Sequence, residues 1–188
     1  MDQKLKLKNM AKILLISGSP RKGNTDFILD KIYKALTGDQ KIIYLKDKDI
    51  KHCRGCLICL ETGKCVIRDD MDEIKQDLLA AEILIIGSPN YYNNVPGLLK
   101  DFIDRTLPFS ETDKLKGKKA FFIVVGGEPV ADSKKYVADQ ALKYLADILQ
   151  MEIINSFIFQ ALRSDELSKN KAALVKIDKI INEIKSYL

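Results

Sequence analysis

Five short runs of mostly apolar residues occur along the chain, and polar or glycine-containing turns separate them from segments with helical spacing of apolar residues. The first run, ILLI at 13–16, is wholly apolar, which is typical of a strand buried on both faces of a parallel sheet. The pattern predicts strands at 13–16, 41–45, 83–86, 121–125 and 153–159. Strands that alternate with helices form a parallel sheet with helices on both faces. An α/β fold is therefore predicted.

The helices are predicted from apolar residues spaced three and four apart. Gly38 ends the first helix, and Asp69 or Asp70 can cap a helix at 71–81. Three further helices are predicted: one that reaches about residue 107, one at 131–150, and a last one that carries Leu174, Ile177, Ile181, Ile184 and Leu188. Neither an internal repeat nor a linker interrupts the alternation. The sequence therefore predicts a single domain over residues 11–188, after an N-terminal tail at 1–10.

Length and charge narrow the class of protein further. The 188 residues, 46% of them hydrophobic, suffice for one domain with a two-layer or three-layer core. The net charge of +5 is mild and the arginines are scattered, which argues against a nucleic-acid partner. No apolar run approaches the ~20 residues of a membrane span, and the N-terminus lacks the apolar core of a signal peptide. We therefore expect a cytoplasmic protein without a nucleic-acid or membrane partner.

All four cysteines of the chain lie in one short segment, CRGCLICLETGKC at 53–65. In a reducing compartment, clustered cysteines indicate metal or redox chemistry more often than disulfides. An all-sulfur ligand set favours a [4Fe–4S] cluster or zinc, and the long spacer between two zinc knuckles is missing here. The predicted cluster ligands are Cys53, Cys56, Cys59 and Cys65. Zinc-bound, free or disulfide-paired thiols are the alternatives, and His52 is expected on the surface rather than as a ligand.

A turn rich in serine and glycine, SGSPRKGNT at 17–25, connects the first strand to the first helix. Free backbone N–H groups at the start of a helix bind anions such as phosphate. Ser19, Asn24 and Thr25 can add side-chain donors, and Arg21 can add a positive charge. The turn lacks both the P-loop motif of Mg-nucleotide sites and the G-x-G-x-x-G motif of dinucleotide sites. An ordinary strand-to-helix turn with a polar cap is the alternative.

Three segments, taken together, resemble one family of flavoproteins. GSPRKGNT after the first strand resembles the phosphate loop of the NAD(P)H-dependent FMN reductase branch of flavodoxin-like proteins. SPNYYNNVPGLLKDFIDR at 88–105 is similar to the loop and helix with which that family holds the isoalloxazine ring. The cysteine segment, followed by DDM at 69–71, resembles the compact cluster motif of the iron–sulfur flavoproteins within that branch. The resemblance covers residues 11–130 and implies a flavodoxin-like three-layer sandwich, with a five-stranded parallel sheet in the order 2-1-3-4-5.

The resemblance also implies which residues hold FMN. The phosphate would lie on polar residues of the first turn, namely Ser17, Ser19, Arg21, Lys22, Asn24 and Thr25. The flavin ring would lie against the residues after the third strand, namely Pro89, Asn90, Tyr91, Tyr92 and Asn93. A third wall would be formed after the fourth strand by Gly126, Gly127 and Glu128. No catalytic side chain is expected, because the cofactor carries the chemistry and the protein supplies binding and orientation.

Three functions are compatible with these residues. The first is an electron-transfer flavoprotein in which FMN is coupled to a [4Fe–4S] cluster, so that a two-electron partner such as NAD(P)H is linked to one-electron partners such as ferredoxin. The second is an NAD(P)H-dependent reductase of FMN, quinones, nitro compounds or another small-molecule acceptor, with cysteines that bind no metal. The third is a non-catalytic, flavodoxin-like electron carrier. The resemblance further implies a homodimer or homotetramer.

Overall fold

A computed structural model of the protein describes residues 12–188, and the predicted tail at 1–10 lies outside the described residues. The described part contains the strands β1 (Ile13–Ser17), β2 (Gln40–Tyr44), β3 (Ile83–Pro89), β4 (Lys119–Gly126) and β5 (Glu152–Gln160). These strands pair in parallel in the order β2-β1-β3-β4-β5. The predicted parallel sheet with strand order 2-1-3-4-5 is therefore confirmed.

Helices lie between and after the strands and cover both faces of the sheet. They are α1 (Asn24–Ala35), α2 (Ile58–Thr62), α3 (Met71–Ala80), α4 (Gly97–Asp104), α5 (Val137–Ile148), α6 (Glu166–Lys169) and α7 (Lys171–Lys185). Short 3-10 turns lie at Leu45–Asp47, Leu107–Phe109 and Ser133–Lys135. Within residues 12–188, no helix has both the length and the apolar character that crossing a membrane requires.

Alternate residues of the inner strands point to opposite faces of the sheet, and both faces are packed. Leu14 and Ile16 of β1 belong to a core cluster with α3, α4 and α5, whereas Ile13 and Leu15 belong to a second cluster with α1 and α7. Every residue of β1 and of β3 is buried. Burial on both faces explains why the sequence of β1 is a continuous apolar run rather than an alternating one. The architecture is a three-layer sandwich.

Several predicted helices were wrong at their ends. The helix predicted to reach about residue 107 ends at Asp104, and the helix that Gly38 was predicted to end stops at Ala35. The helix predicted at 131–150 begins only at Val137, because Tyr136 is buried in a non-helical conformation and its hydroxyl donates to the Glu128 carbonyl at 2.5 Å. The residues before Val137 are therefore held against the end of β4 instead of joining the helix. The last helix ends at Lys185, so Leu188, which was predicted on its apolar face, is exposed.

Candidate functional site

A cleft of about 200 Å³ lies at the edge of the sheet where β1, β3, β4 and β5 end. In open α/β sheets, ligands bind outside the carboxyl ends of the strands at the point where the strand order reverses, which here lies between β1 and β3. The predicted cofactor residues that line this cleft are Ser19, Arg21, Asn24, Thr25, Pro89, Asn90, Tyr91, Gly126 and Gly127. The predicted cofactor residues that are not among its lining residues are Ser17, Lys22, Tyr92, Asn93 and Glu128.

The start of α1 forms one end of the cleft. Gly23, which precedes α1, has an extended backbone and gives the helix no side-chain cap. The first amides of a helix have no partner within it, and Asn24 and Thr25 of this first turn line the cleft. Arg21 adds a guanidinium on the same side. This end of the cleft therefore offers an anion free N–H groups, the positive end of a helix and a positively charged side chain.

Close packing fixes the path of the turn before α1. The Gly18 amide donates to the Gly87 carbonyl at 2.8 Å, and the Ser19 hydroxyl donates to the Arg21 carbonyl at 2.6 Å. A Cβ on Gly18 would lie 2.5 Å from Leu99 Cδ2, so glycine is needed for the turn to approach α4 this closely. Ser19 thus shapes the turn in addition to lining the cleft.

Two residues predicted at the phosphate are directed away from the cleft. Ser17 is fully buried, and its hydroxyl donates to Asp26 Oδ1 at 2.5 Å, while the other oxygen of Asp26 is paired with Lys46. Lys22 lines a separate cavity of about 210 Å³ together with the carboxylates of Asp26 and Asp30. Ser17 therefore stabilises the turn from within the core. Lys22 lies on the other side of the turn from the cleft.

The segment after β5 forms a wall of the cleft that the sequence analysis missed. The lining residues outside the prediction are Gly23, Val125, Ala161, Leu162 and Ser164. Asn24 ties this segment to α1, because its side-chain amide donates to the Arg163 carbonyl at 2.6 Å and its oxygen accepts from the Leu167 amide at 3.1 Å. The side chain of Asn24 is thus already occupied by protein contacts. Because the carboxyl ends of parallel strands meet at one edge of the sheet, the residues that follow the fifth strand could have been expected in this wall.

The residues after β3 form a tight turn. Tyr91 and Asn94 exchange two backbone hydrogen bonds, of 2.8 and 2.9 Å. Tyr92 and Asn93 between them have φ angles of 49° and 62°, and positive φ at both central positions is the property of a type I′ turn. Tyr92 is completely exposed, whereas Tyr91 lines the cleft. The aromatic surface in the cleft therefore comes from Tyr91 alone of the two predicted tyrosines.

Asn90 brings an unpaired acceptor to the wall of the cleft. Its backbone amide donates to the Val125 carbonyl at 2.7 Å, and its side-chain amide donates to the Lys135 carbonyl at 2.8 Å. The side-chain oxygen Oδ1 is buried, and no hydrogen-bond partner for it occurs among residues 12–188. A buried polar group without a hydrogen-bond partner lowers the stability of the fold by on the order of 1–3 kcal/mol. A ligand with an N–H group at this position would satisfy that oxygen.

Two glycines form the third wall of the cleft, after β4. A Cβ on Gly126 would lie 2.7 Å from the ring of Tyr136, and a Cβ on Gly127 would lie 2.9 Å from Leu162 Cδ1. Tyr136 is fully buried, so a Cβ on Gly126 would force its ring to shift, whereas the exposed tip of Leu162 can move away from a Cβ on Gly127. The Glu128 carboxylate is paired with Lys135 at 2.9 Å. Of the three residues predicted for this wall, the two glycines line the cleft and Glu128 does not.

The cysteine loop, residues 48–70, runs from the 3-10 turn after β2 to the start of α3 and includes α2. Cys53 and Cys56 are exposed, Cys65 is half-buried, and Cys59 in the first turn of α2 is buried. Left-handed backbone conformations recur along the loop, at Gly55, Leu57 and Gly63, with φ angles of 62°, 61° and 68°. They allow the chain to bend sharply several times within the cysteine segment.

Cys59 is the most buried of the four cysteines. Burial raises the pKa of the Cys59 thiol, and the other three cysteines raise it further. Among residues 12–188, no three or more His, Cys, Asp or Glu side chains converge in the way that a bound metal ion requires. His52 is on the surface, as predicted, and its Nδ1 lies 2.6 Å from Asp101 Oδ1. That hydrogen bond raises the pKa of the imidazole and holds the ring toward α4.

The cysteine loop and the cleft lie on either side of one turn. Cys53 and Gly55 line a groove of about 730 Å³ together with Asn94 and with residues of α4 and α5. Asn94 closes the turn that begins at Tyr91, and Tyr91 lines the cleft. Residues 91–94 are therefore shared between the surroundings of the two candidate sites.

The fold and the cleft define the class of protein to which the chain belongs. Residues 11–162 match the family described as NADPH-dependent FMN reductase, and the chain is a member of that family.

Curated relatives sharpen this assignment. The chain is 44% identical over 114 residues to an iron-sulfur flavoprotein of Archaeoglobus fulgidus and 38% identical over 119 residues to an iron-sulfur flavoprotein of Methanocaldococcus jannaschii. The matches cover 58% and 61% of this chain and 52% and 62% of those proteins, so the chain spans roughly half to three-fifths of their length. The predicted relationship to the iron–sulfur branch of the family is confirmed.

A solved structure shares the fold. The flavodoxin, WrbA-like protein from Agrobacterium tumefaciens aligns with a TM-score of 0.62 and 15% identity, over 95% of this chain and 99% of that chain. At this level of identity the likeness concerns the fold alone. The predicted flavodoxin-like architecture is confirmed.

Proposed function

We propose that the chain is an FMN-dependent oxidoreductase in which bound FMN exchanges electrons with a [4Fe–4S] cluster on the cysteine loop. The observation that carries the proposal is the cleft at the carboxyl edge of the sheet, because its two ends suit the two ends of FMN. Membership of the FMN reductase family and the similarity to iron-sulfur flavoproteins support the same function.

The residues of the cleft fit FMN at both ends. The uncapped start of α1 and the guanidinium of Arg21 suit the phosphate. Pro89 and Tyr91 offer apolar and aromatic surface to the ring, and the unpaired Oδ1 of Asn90 can accept from a ring N–H. Because Asn90 is already fixed by two other hydrogen bonds, its oxygen is held in position before the ligand arrives.

The cysteine loop fits a cluster by its donor chemistry. Four thiols on one loop suit an iron–sulfur centre, because such centres are held by thiolates. Cys53 and Cys56 lie on an exposed segment, at 51–57, that is neither helix nor strand. This leaves them room to reach the more buried thiols of Cys59 and Cys65.

Electron flow follows from the chemistry of the two groups. FMN held by the cleft would supply two-electron chemistry with NAD(P)H, and a cluster held by Cys53, Cys56, Cys59 and Cys65 would supply one-electron chemistry with acceptors, so that one hydride donor could serve two one-electron acceptors. The exposure of Cys53 and Cys56 favours an acceptor that docks at the cysteine loop, such as ferredoxin or a small molecule.

We also propose that the chain forms a homodimer or homotetramer. Two exposed apolar side chains, those of Tyr144 and Ile148, support this proposal, and both line the groove beside Cys53.

An NAD(P)H-dependent reductase with metal-free cysteines is the second candidate. One observation favours it, namely that in the part of the chain that the structure describes the thiols do not converge as metal ligands. A variant with all four cysteines replaced by serine separates the two candidates. Loss of electron transfer to one-electron acceptors with FMN retained supports the cluster, whereas NAD(P)H oxidation at the wild-type rate with every acceptor supports the simpler reductase.

Arg21→Ala is expected to weaken FMN binding by about tenfold or more while leaving riboflavin binding unchanged. Riboflavin has the same ring but lacks the phosphate that Arg21 would contact, and a hydrogen bond to a charged group contributes about 1.5–3 kcal/mol. Titration of the flavin-free protein, followed by quenching of flavin fluorescence, measures both dissociation constants.

Lys22→Ala is the matched control for this experiment. It removes the same charge one residue further along the turn, from a side chain that lines the separate cavity with Asp26. We expect FMN binding to change little. Equal losses of FMN and riboflavin affinity in Arg21→Ala, or a larger loss of FMN affinity in Lys22→Ala, would show that the phosphate does not lie at Arg21.

A further inference from the structure

A fully buried ion pair lies where the two ends of the cysteine loop meet. Arg105 directly follows α4, and Asp69 lies two residues before the start of α3. The guanidinium donates through Nη1 to Asp69 Oδ2 at 2.6 Å and through Nη2 to Asp69 Oδ1 at 3.0 Å. Both side chains are completely excluded from solvent. Two parallel hydrogen bonds fix the relative orientation of the two groups as well as their distance.

The same pair binds the backbone on both sides of the cysteines. Arg105 Nη1 also donates to the Lys51 carbonyl at 2.8 Å, and Nη2 donates to the Ile67 carbonyl at 3.3 Å. Asp69 Oδ2 accepts from the Lys51 amide at 3.0 Å. Lys51 precedes the first cysteine by two residues, and Ile67 follows the last cysteine by two residues. The ion pair therefore sets the separation of the two ends of the four-cysteine segment.

The segment between these ends has little regular structure to position it. Residues 51–57 form neither helix nor strand, and the two cysteines among them are exposed. His52 is tied to Asp101 of α4, and the other hydrogen bonds inside the segment are local, such as the one from the Gly55 amide to Cys53 Sγ at 3.5 Å. The placement of the ends thus decides where the four thiols can meet.

One donor of Arg105 is left over. A guanidinium has five N–H groups, and Asp69, Lys51 and Ile67 account for four hydrogen bonds. The Nε atom is buried, and no partner for it occurs in the described range 12–188, which is costly for a charged group. Nη2 of the same guanidinium is bonded to the Ile67 carbonyl, which follows Cys65 by two residues. The sulfur of Cys65 is the acceptor that this part of the loop can offer to the unpaired Nε.

Stability alone is a poor explanation for such a pair. Taking two charges out of water offsets much of their attraction, and apolar residues of similar volume are often as stabilising. In some proteins, a buried polar group is retained because it selects one conformation of the chain over its alternatives. In this chain the geometry that is selected is that of the ends of the cysteine loop.

We propose that Arg105 is a positioning residue for the cluster. It holds the two ends of the cysteine loop at the separation that the cluster requires, and its Nε donates to the sulfur of Cys65 when that sulfur is bound to iron. This inference rests on the proposed function, because it requires a cluster on the loop. Hydrogen bonds to the sulfurs of a cluster stabilise its more negative, reduced form, so Arg105 also raises the reduction potential.

Arg105→Lys tests the proposal, because lysine keeps the charge but cannot bridge Asp69 and two carbonyl groups or supply the Nε donor. The protein is purified anaerobically and reconstituted with iron and sulfide, then exposed to an iron chelator, and its potential is measured by spectroelectrochemical titration. We expect cluster loss to be about tenfold faster or more, in keeping with outer-shell changes at metal sites, together with a lower potential and unchanged FMN content. Arg68→Lys is the matched control, since Arg68 is an exposed partner of Asp72.

The proposal would be overturned if Arg105→Lys lost its cluster to the chelator at the wild-type rate and had the wild-type reduction potential. If this variant does not fold, the double variant Asp69→Asn, Arg105→Met removes both charges and so avoids a lone buried charge. A labile cluster with FMN retained in that variant supports the proposal. If both variants lost FMN and folded structure, the ion pair would be shown to serve the fold rather than the cluster, and the proposal would be overturned. Wild-type protein without iron would contradict the proposed function itself, before any variant is compared.

Discussion

Cys59→Ser is expected to abolish iron binding while FMN binding persists. Cys59 is buried in the first turn of α2 and is not among the residues that line the cleft. Serine has nearly the same shape, so the loop should keep its packing, but a hydroxyl does not replace a thiolate on an iron–sulfur cluster. The iron-to-FMN ratio of the anaerobically purified variant, compared with that of the wild type, measures the effect.

His52→Ala is the control for this variant. His52 precedes Cys53, but it is exposed and is hydrogen-bonded to Asp101. We expect the iron-to-FMN ratio to stay at its wild-type value. Full iron content in Cys59→Ser would show that Cys59 is not a ligand, and loss of iron in His52→Ala would show that the ligand set includes the histidine.

Asp69→Asn is expected to lower the free energy of unfolding at neutral pH by about 3–5 kcal/mol, because it leaves the buried charge of Arg105 without its counter-charge. For a chain of this length, that corresponds to a melting temperature lower by roughly 6–20 °C. The carboxylate also accepts hydrogen bonds from the amides of Lys51 and Met71, and an asparagine oxygen can serve only one of its two sides. Urea denaturation at pH 7 measures the difference.

The effect of Asp69→Asn should depend on pH in one direction. Burial by itself would raise the pKa of Asp69, but hydrogen bonds from Arg105 and from the amides of Lys51 and Met71 outweigh burial and lower it. A carboxyl group with a lowered pKa in the folded state stabilises the fold above its unfolded pKa, and this contribution is lost as the pH falls through the folded pKa. The stability difference should therefore be complete at pH 7 and shrink below about pH 4.

Asp72→Asn, three residues further along in the first turn of α3, provides the matched control. Asp72 is exposed and pairs with Arg68 at 3.3 Å, and exposed ion pairs contribute little to stability. We expect little change at either pH. Similar effects of the two substitutions, or a difference for Asp69→Asn that grows as the pH falls, would contradict the account of the buried pair.

The sheet could be predicted from sequence because its physical cause is local. Buried parallel strands must be apolar on both faces, and ILLI at 13–16 and ILII at 83–86 satisfy that requirement without reference to the rest of the chain. The start of α5 could not be predicted in this way. It depends on a hydrogen bond from the Tyr136 hydroxyl to a carbonyl eight residues earlier, which displaces a segment that has helical spacing.

The sequence indicates which loops form the candidate site better than it indicates which side chains line the cleft. The turn at 17–25 does lie at the edge of the sheet, but Ser17 and Lys22 face other contacts because of Asp26. Tyr92 leaves the cleft because positive φ angles in the tight turn carry it into solvent. The direction of a side chain depends on such contacts, and the order of residues does not reveal it.

The ion pair under the cysteines was beyond sequence analysis for a related reason. Arg105 and Asp69 are separated by 36 residues and belong to different elements. The spacing of the cysteines indicates what the loop can bind, whereas the pair that fixes its ends is formed only when the end of α4 meets the segment before α3. A short motif can therefore predict ligands without predicting what positions them.

The central claim is that one chain holds both FMN and a cluster, and the composition of the native protein tests it most directly. The wild-type protein should be purified without exposure to oxygen and analysed for flavin, iron and acid-labile sulfide. We expect one FMN with about four iron and four sulfide per chain. Protein that contains FMN but neither iron nor sulfide would contradict the cluster, and protein without FMN would contradict the function proposed for the cleft.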